Sequence, residues 1–194
     1  MRSHPMLKIA YTMPRPAQDE ARRIAMLLDS GWHAVHLRHP GMEETDIAAI
    51  LRDIPREFTS RIVLHDHFSV ASEFEVGALH LNSRHPEAPT GYCGATTASC
   101  HSIEEVLSSS AHRYVTLSPI FDSISKPGYK AAFSPDQLHA LDKAPVKVIA
   151  LGGIDSLNAR QLSPYPFAGY AAMGALAWHD NINEFIKSYR CFNS

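Results

Sequence analysis

The sequence predicts an α/β fold, a single (β/α)8 barrel of the TIM type spanning residues 1–194. Three observations predict it. Short apolar runs alternate with helix-period segments along the whole chain. Eight strand-like runs are present, with no linker, repeat or low-complexity stretch between them. Glycine-bearing segments follow the seventh and eighth runs, where this architecture commonly places a phosphate site. Alternation alone also fits an open doubly wound sheet; the placement of the glycines favours the barrel.

The elements follow in order. Leu7 to Met13 reads as the first strand and Asp19 to Leu28 as an amphipathic helix, stopped at Ser30-Gly31. Ala34 to Arg38 is the second strand and Glu43 to Arg52 a helix. Arg61 to His65 is the third strand, with a short helical link over Phe68 to Glu73, and Ala78 to Leu81 the fourth. Gly94 to Ser99 is a weak fifth strand; Ser102 and Glu105 then have the N-cap and N3 spacing of a capping box. Tyr114 to Leu117 is the sixth strand, and a long loop, Ser118 to Phe133, leads to a helix opened by Ser134-Pro135. Val146 to Leu151 is the seventh strand, Leu157 to Leu162 a helix, Ala168 to Met173 the eighth strand and Asn183 to Tyr189 the last helix.

Composition narrows the function classes. The formal net charge is −2, so no basic field draws in nucleic acid. No apolar run approaches the roughly 20 residues of a membrane span, and Met1 to Pro5 lacks the apolar core of a signal peptide. Cys93, Cys100 and Cys191 are too few and too irregular for a disulfide framework, which points to a cytoplasmic protein with reduced thiols.

Active sites of parallel barrels lie at the C-terminal strand ends, so those residues carry the functional reading. Gly152-Gly153 after the seventh strand and Gly174-Ala175 after the eighth offer backbone N–H groups to a phosphate, with following helix N-termini adding their dipoles. Gly-Gly also serves simply as a tight turn. Ser123, Ser125 and Lys126, in the loop after the sixth strand, offer two hydroxyls and a cation. The period of two puts His36 and Arg38 on one side of the second strand, with Arg38 suited to bidentate phosphate binding. Asp66, at the end of the third strand, has the chemistry of a Mg²⁺ ligand. His36, His39, His65, His67, His80 and His85 crowd one rim, which raises a transition-metal reading; scattered polar surface histidines are the plainer one.

These strand ends, taken with LSPIFDSISKPG (117–128), SCHSIEE (99–105) and VIALGGI (148–154) in that setting, resemble the thiamin phosphate synthase/TenI superfamily from about Leu7 to Ile186. The resemblance implies a thiamin-biosynthetic transferase that joins hydroxymethylpyrimidine pyrophosphate to thiazole phosphate and releases pyrophosphate with Mg²⁺ help. It implies Arg38, Ser99 and Lys126 as catalytic groups and Asp66 as metal ligand. It further implies His36, His65, Ser123 and Ser125 as substrate contacts, and Gly152, Gly153, Gly174 and Ala175 as the thiazole-phosphate grip. The chain departs from the pattern at His36, where the family has glutamine, at Pro40 in place of lysine, and at His65 in place of asparagine. His85 stands where the second magnesium aspartate aligns. A weakened pyrophosphate clamp suits two alternatives, a TenI-like thiazole phosphate tautomerase and a non-catalytic thiazole-phosphate binder. The tautomerase's catalytic histidine, however, aligns with Pro119. Small phosphorylated substrates are the expected partners, and a homo-oligomer is compatible with the sequence.

Overall fold

The computed structural model describes residues 5–122 and 131–193. Eight parallel strands close into a barrel in sequence order: β1 Leu7–Tyr11, β2 Ala34–Leu37, β3 Ile62–His65, β4 Ala78–Leu81, β5 Thr96–Cys100, β6 Tyr114–Leu117, β7 Val148–Leu151 and β8 Gly169–Ala172. Closure is made by β1, which pairs with β2 at Tyr11↔His36 and with β8 at Ile9↔Ala171. The helices are α1 Glu20–Asp29, α2 Glu44–Asp53, α3 Arg56–Thr59, α4 Ile103–Ser108, α5 Pro135–His139 and α6 Ile182–Arg190.

Strands covered on both faces are buried along their length, so β2, β3, β6 and β8 read as largely apolar runs, broken only at His36, His65 and Thr116. One apolar layer lies between strands and helices and includes Ile24, Leu27, Leu28, Trp32, Ile47, Leu51, Trp178 and Phe185. A second, smaller one fills the barrel interior with Ile9, Tyr11, Tyr114, Ile149 and Ala171.

Local chemistry explains the ends of the elements. Ser134 caps α5 by accepting Gln137 N–H while the Gln137 side chain accepts Ser134 N–H, a complete capping box. At α4, Ser102 accepts Glu105 N–H, but the Glu105 carboxylate takes His101 N–H rather than that of Ser102. The helix expected over Leu157 to Leu162 is a single 3₁₀ turn, Ala159–Leu162. Asp155 Oδ1 accepts the N–H groups of Leu157 and Asn158, both at 2.8 Å, and Asn158 returns bonds to Asp155 N and Gly153 O. These side-chain bonds take the backbone groups that a first helical turn would use. The links after β3 and after α5 are likewise 3₁₀ turns, and α3 had no signal in the hydrophobic pattern.

Candidate active site at the C-terminal mouth of the barrel

The strand ends bring Arg38, Asp66, Ser99 and the Gly152-Gly153 turn to one mouth. Arg38 follows β2 directly and is held by its backbone: its N–H donates to Thr12 Oγ1 at 2.9 Å, and that hydroxyl lies 3.3 Å from the Arg38 carbonyl. The next residue, His39, turns outward and is buried against α1, with Nε2 2.6 Å from Glu20 Oε2. Glu20 also accepts Ala17 N–H, so one buried carboxylate ties the start of α1 to the segment carrying Arg38.

Beneath Arg38 lies a polar cluster inside the barrel. His36 is fully buried, with Nδ1 2.9 Å from His65 Nε2 and Nε2 2.6 Å from Tyr114 Oη. His80 bridges Thr97 Oγ1 and Ser99 Oγ, both at 2.8 Å. The rings pack as well: Tyr11 stacks on His36, and His65 on His80, each pair at 4.2 Å between centroids. Burial holds all three imidazoles below their ordinary range, His80 down to about 3. For His65 and His80 the nearby Arg38 guanidinium adds to this.

His36 and His65, expected as substrate contacts at the rim, therefore sit one layer lower, with His36 bonded through both nitrogens. The rim histidines do not form one group. His36, His65 and His80 do place nitrogens within 4.8 Å of one another, a spacing open to a transition metal. Their hydrogen bonds engage the same lone pairs, the His65 and His80 rings are stacked rather than convergent, and Arg38 adds positive potential. The cluster fits a hydrogen-bonded floor better than a cation site.

The Gly152-Gly153 turn uses positive φ at both residues, 99° and 65°. It also seats the loop after β6: a Cβ on Gly152 would meet Pro119 Cα at 2.9 Å, and one on Gly153 would meet Asp122 O at 2.3 Å. The tight-turn reading of these glycines is what this geometry shows. The helix dipole expected behind each glycine is not there among the described residues. A 3₁₀ turn follows β7, and after β8 Leu176 N–H bonds Met173 O in a turn well before α6. Among the described residues, what these turns offer an anion is therefore backbone N–H groups without a helix dipole behind them. Ser123, Ser125 and Lys126 lie outside the described residues; the described ends of that loop are joined by Ala131 N–H donating to Asp122 Oδ1 at 2.7 Å.

Asp66 lies in the left-handed region, φ 54°. Both its oxygens are within 3.2–3.3 Å of Arg84 Nη2, and Oδ1 is also 3.2 Å from His85 Nε2. Mg²⁺ demands near-octahedral oxygen donors. One carboxylate engaged on both oxygens by nitrogen donors, beside a histidine and a guanidinium, does not fit that ion.

Residues 9–176 match the thiamine monophosphate synthase family. The chain belongs to that family. It is 28% identical to the thiamine-phosphate synthase of Latilactobacillus sakei over 152 residues, 74% of this chain and 68% of the relative. Identity to the Pyrococcus furiosus thiamine-phosphate synthase is 23% over 199 residues, 95% of this chain and 93% of that one. Among solved structures, thiamine phosphate pyrophosphorylase from Bacteroides thetaiotaomicron superposes with a TM-score of 0.83 at 30% identity, covering 97% of this chain and 96% of that chain. Two groups around this site carried little signal in sequence. Tyr114, at the start of β6 inside the barrel, bonds His36. His101, exposed after β5, places Nδ1 3.3 Å from the Ser118 carbonyl.

Proposed function

We propose that the chain is a transferase of thiamin biosynthesis that joins hydroxymethylpyrimidine pyrophosphate to thiazole phosphate. In this reaction the pyrimidine methylene C–O bond breaks, pyrophosphate leaves with its electron pair, and the thiazole nitrogen forms the new C–N bond. The reading rests on His80, which fixes Ser99 and feels the Arg38 charge, at the mouth that also holds the Gly152-Gly153 turn. An arginine with its backbone anchored needs little reorganisation to meet negative charge growing on a leaving group. Ser99, held at 2.8 Å by His80, offers its hydroxyl at a set position. Backbone N–H groups of Gly152, Gly153, Gly174 and Ala175 take the thiazole phosphate, with Ser123, Ser125 and Lys126 as further substrate contacts. Three cysteines and an ordinary composition accord with work in the cytoplasm.

Thiazole phosphate tautomerisation is the second reading, and His101 favours it. With Nδ1–H directed at Ser118 O, its Nε2 lone pair remains for a proton. The buried histidines do not serve that role, because imidazoles held neutral far below pH 7 are weak bases.

His101→Asn separates the two. The transferase reading predicts thiamin phosphate formation within threefold of wild type. Thiazole isomerisation by the wild-type protein that falls about 100-fold in the variant, with no thiamin phosphate formed by either, would contradict it.

A further inference from the structure

Arg84 and His85 converge on the Asp66 carboxylate at the barrel mouth. Arg84 is half-exposed on the loop after β4, and its bonds to Asp66 run through Nη2 alone. Its position is set from two sides: Arg84 N–H donates to Asn82 Oδ1 at 2.9 Å, and Asn82 and His85 exchange backbone bonds at 3.0 Å each. That small antiparallel bridge places His85 on the same carboxylate. Asp66 itself is drawn in from the left-handed position that ends β3, with its side chain mostly buried. The Arg84 guanidinium thus faces this carboxylate, while Arg38 follows β2 at the same mouth. Both reach the barrel mouth electrically, since each pushes His65 further down after burial has done so.

Resting on the transferase reading of this mouth, we propose that the chain binds the diphosphate end of its substrate without a divalent cation. Arg84 and Arg38 supply the positive charge, and Asp66 with His85 holds Arg84 in place. A planar guanidinium with donors to spare suits phosphoryl oxygens, and hydrogen bonds between ions are about twice as strong as neutral ones. Asp66 is then a positioning residue whose negative charge opposes anion binding, the reverse of a metal ligand's contribution. That reversal is measurable.

The experiment is calorimetric titration of inorganic pyrophosphate into the full-length protein in EDTA, then with Mg²⁺. Binding is expected in EDTA and is expected to weaken tenfold or more in Arg84→Ala. In Asp66→Asn it should hold within threefold or tighten, because asparagine tolerates the left-handed backbone and still accepts from Arg84. Far-UV circular dichroism melts confirm that each variant is folded. Binding seen only with Mg²⁺ and lost in Asp66→Asn would overturn the proposal, as would binding indifferent to Arg84→Ala or none in either condition. If thiamin phosphate still forms in any of these cases, the transferase reading stands while this inference fails.

Discussion

Arg38→Ala lowers the rate of pyrophosphate release by about 100-fold or more, while thiazole phosphate affinity stays within threefold of wild type. The magnitude is that of removing one preorganised donor from a site where charge develops, about 10²–10³ in rate. Selectivity follows from the architecture. Arg38 lies after β2, and its backbone is held by Thr12 whatever side chain it carries. The His39–Glu20 contact fixes the next residue from the other side. Alanine therefore removes the guanidinium and leaves the loop in place. The Gly152-Gly153 turn follows β7 and is shaped by the loop after β6, so the thiazole-phosphate grip shares no backbone with Arg38. Lysine is expected to restore little, because it offers a point charge where two oriented donors are needed. The check is kcat/KM for pyrophosphate release beside equilibrium titration of thiazole phosphate. Equal losses in both would place Arg38 on the wrong substrate.

The second large effect is acid lability of the fold. His36, His65 and His80 are neutral in the barrel, whereas in the unfolded chain they take up protons near 6.5. Their stabilisation is thus fully present above pH 6.5. It is lost as pH falls below that value, for His80 down to its folded value of about 3. At pH 4.5, two units below the unfolded value, His80 alone removes on the order of 3 kcal/mol. His36 and His65 act in the same direction. Against a domain stability of about 5–15 kcal/mol this is a large fraction. Urea unfolding midpoints at pH 7.5 and 4.5 test it. A clear fall is expected, with a shallower pH dependence in His80→Asn; midpoints unchanged between the two pH values would show that the histidines are not held neutral.

Much of the fold was legible because a barrel strand covered on both faces leaves a continuous apolar run. β4 and β6 match the expected Ala78 to Leu81 and Tyr114 to Leu117, and Ser134-Pro135 opens α5 as its cap chemistry dictates. The helix after β7 was not legible, because Asp155 and Asn158 bond the backbone that the apolar spacing of Leu157 and Leu162 had assigned to a helix. The site was half legible for a different reason. The period of two put His36 and Arg38 on one side of β2, and His36 does face the barrel interior. Depth along the barrel, however, depends on register between strands. His36 pairs beside Tyr11 and Val63, and His65 beside His80, which seats the histidines as a floor under Arg38. No local pattern encodes that. Nor does one encode Arg84 and His85 meeting on Asp66 from the next strand's loop.

A mouth that joins two phosphorylated substrates must yield its two products in fixed stoichiometry. Purified protein mixed with hydroxymethylpyrimidine pyrophosphate and thiazole phosphate is predicted to release pyrophosphate and form thiamin phosphate one for one over many turnovers. Thiazole isomerisation without pyrophosphate release, or binding of thiazole phosphate with neither product at high protein concentration, would contradict it.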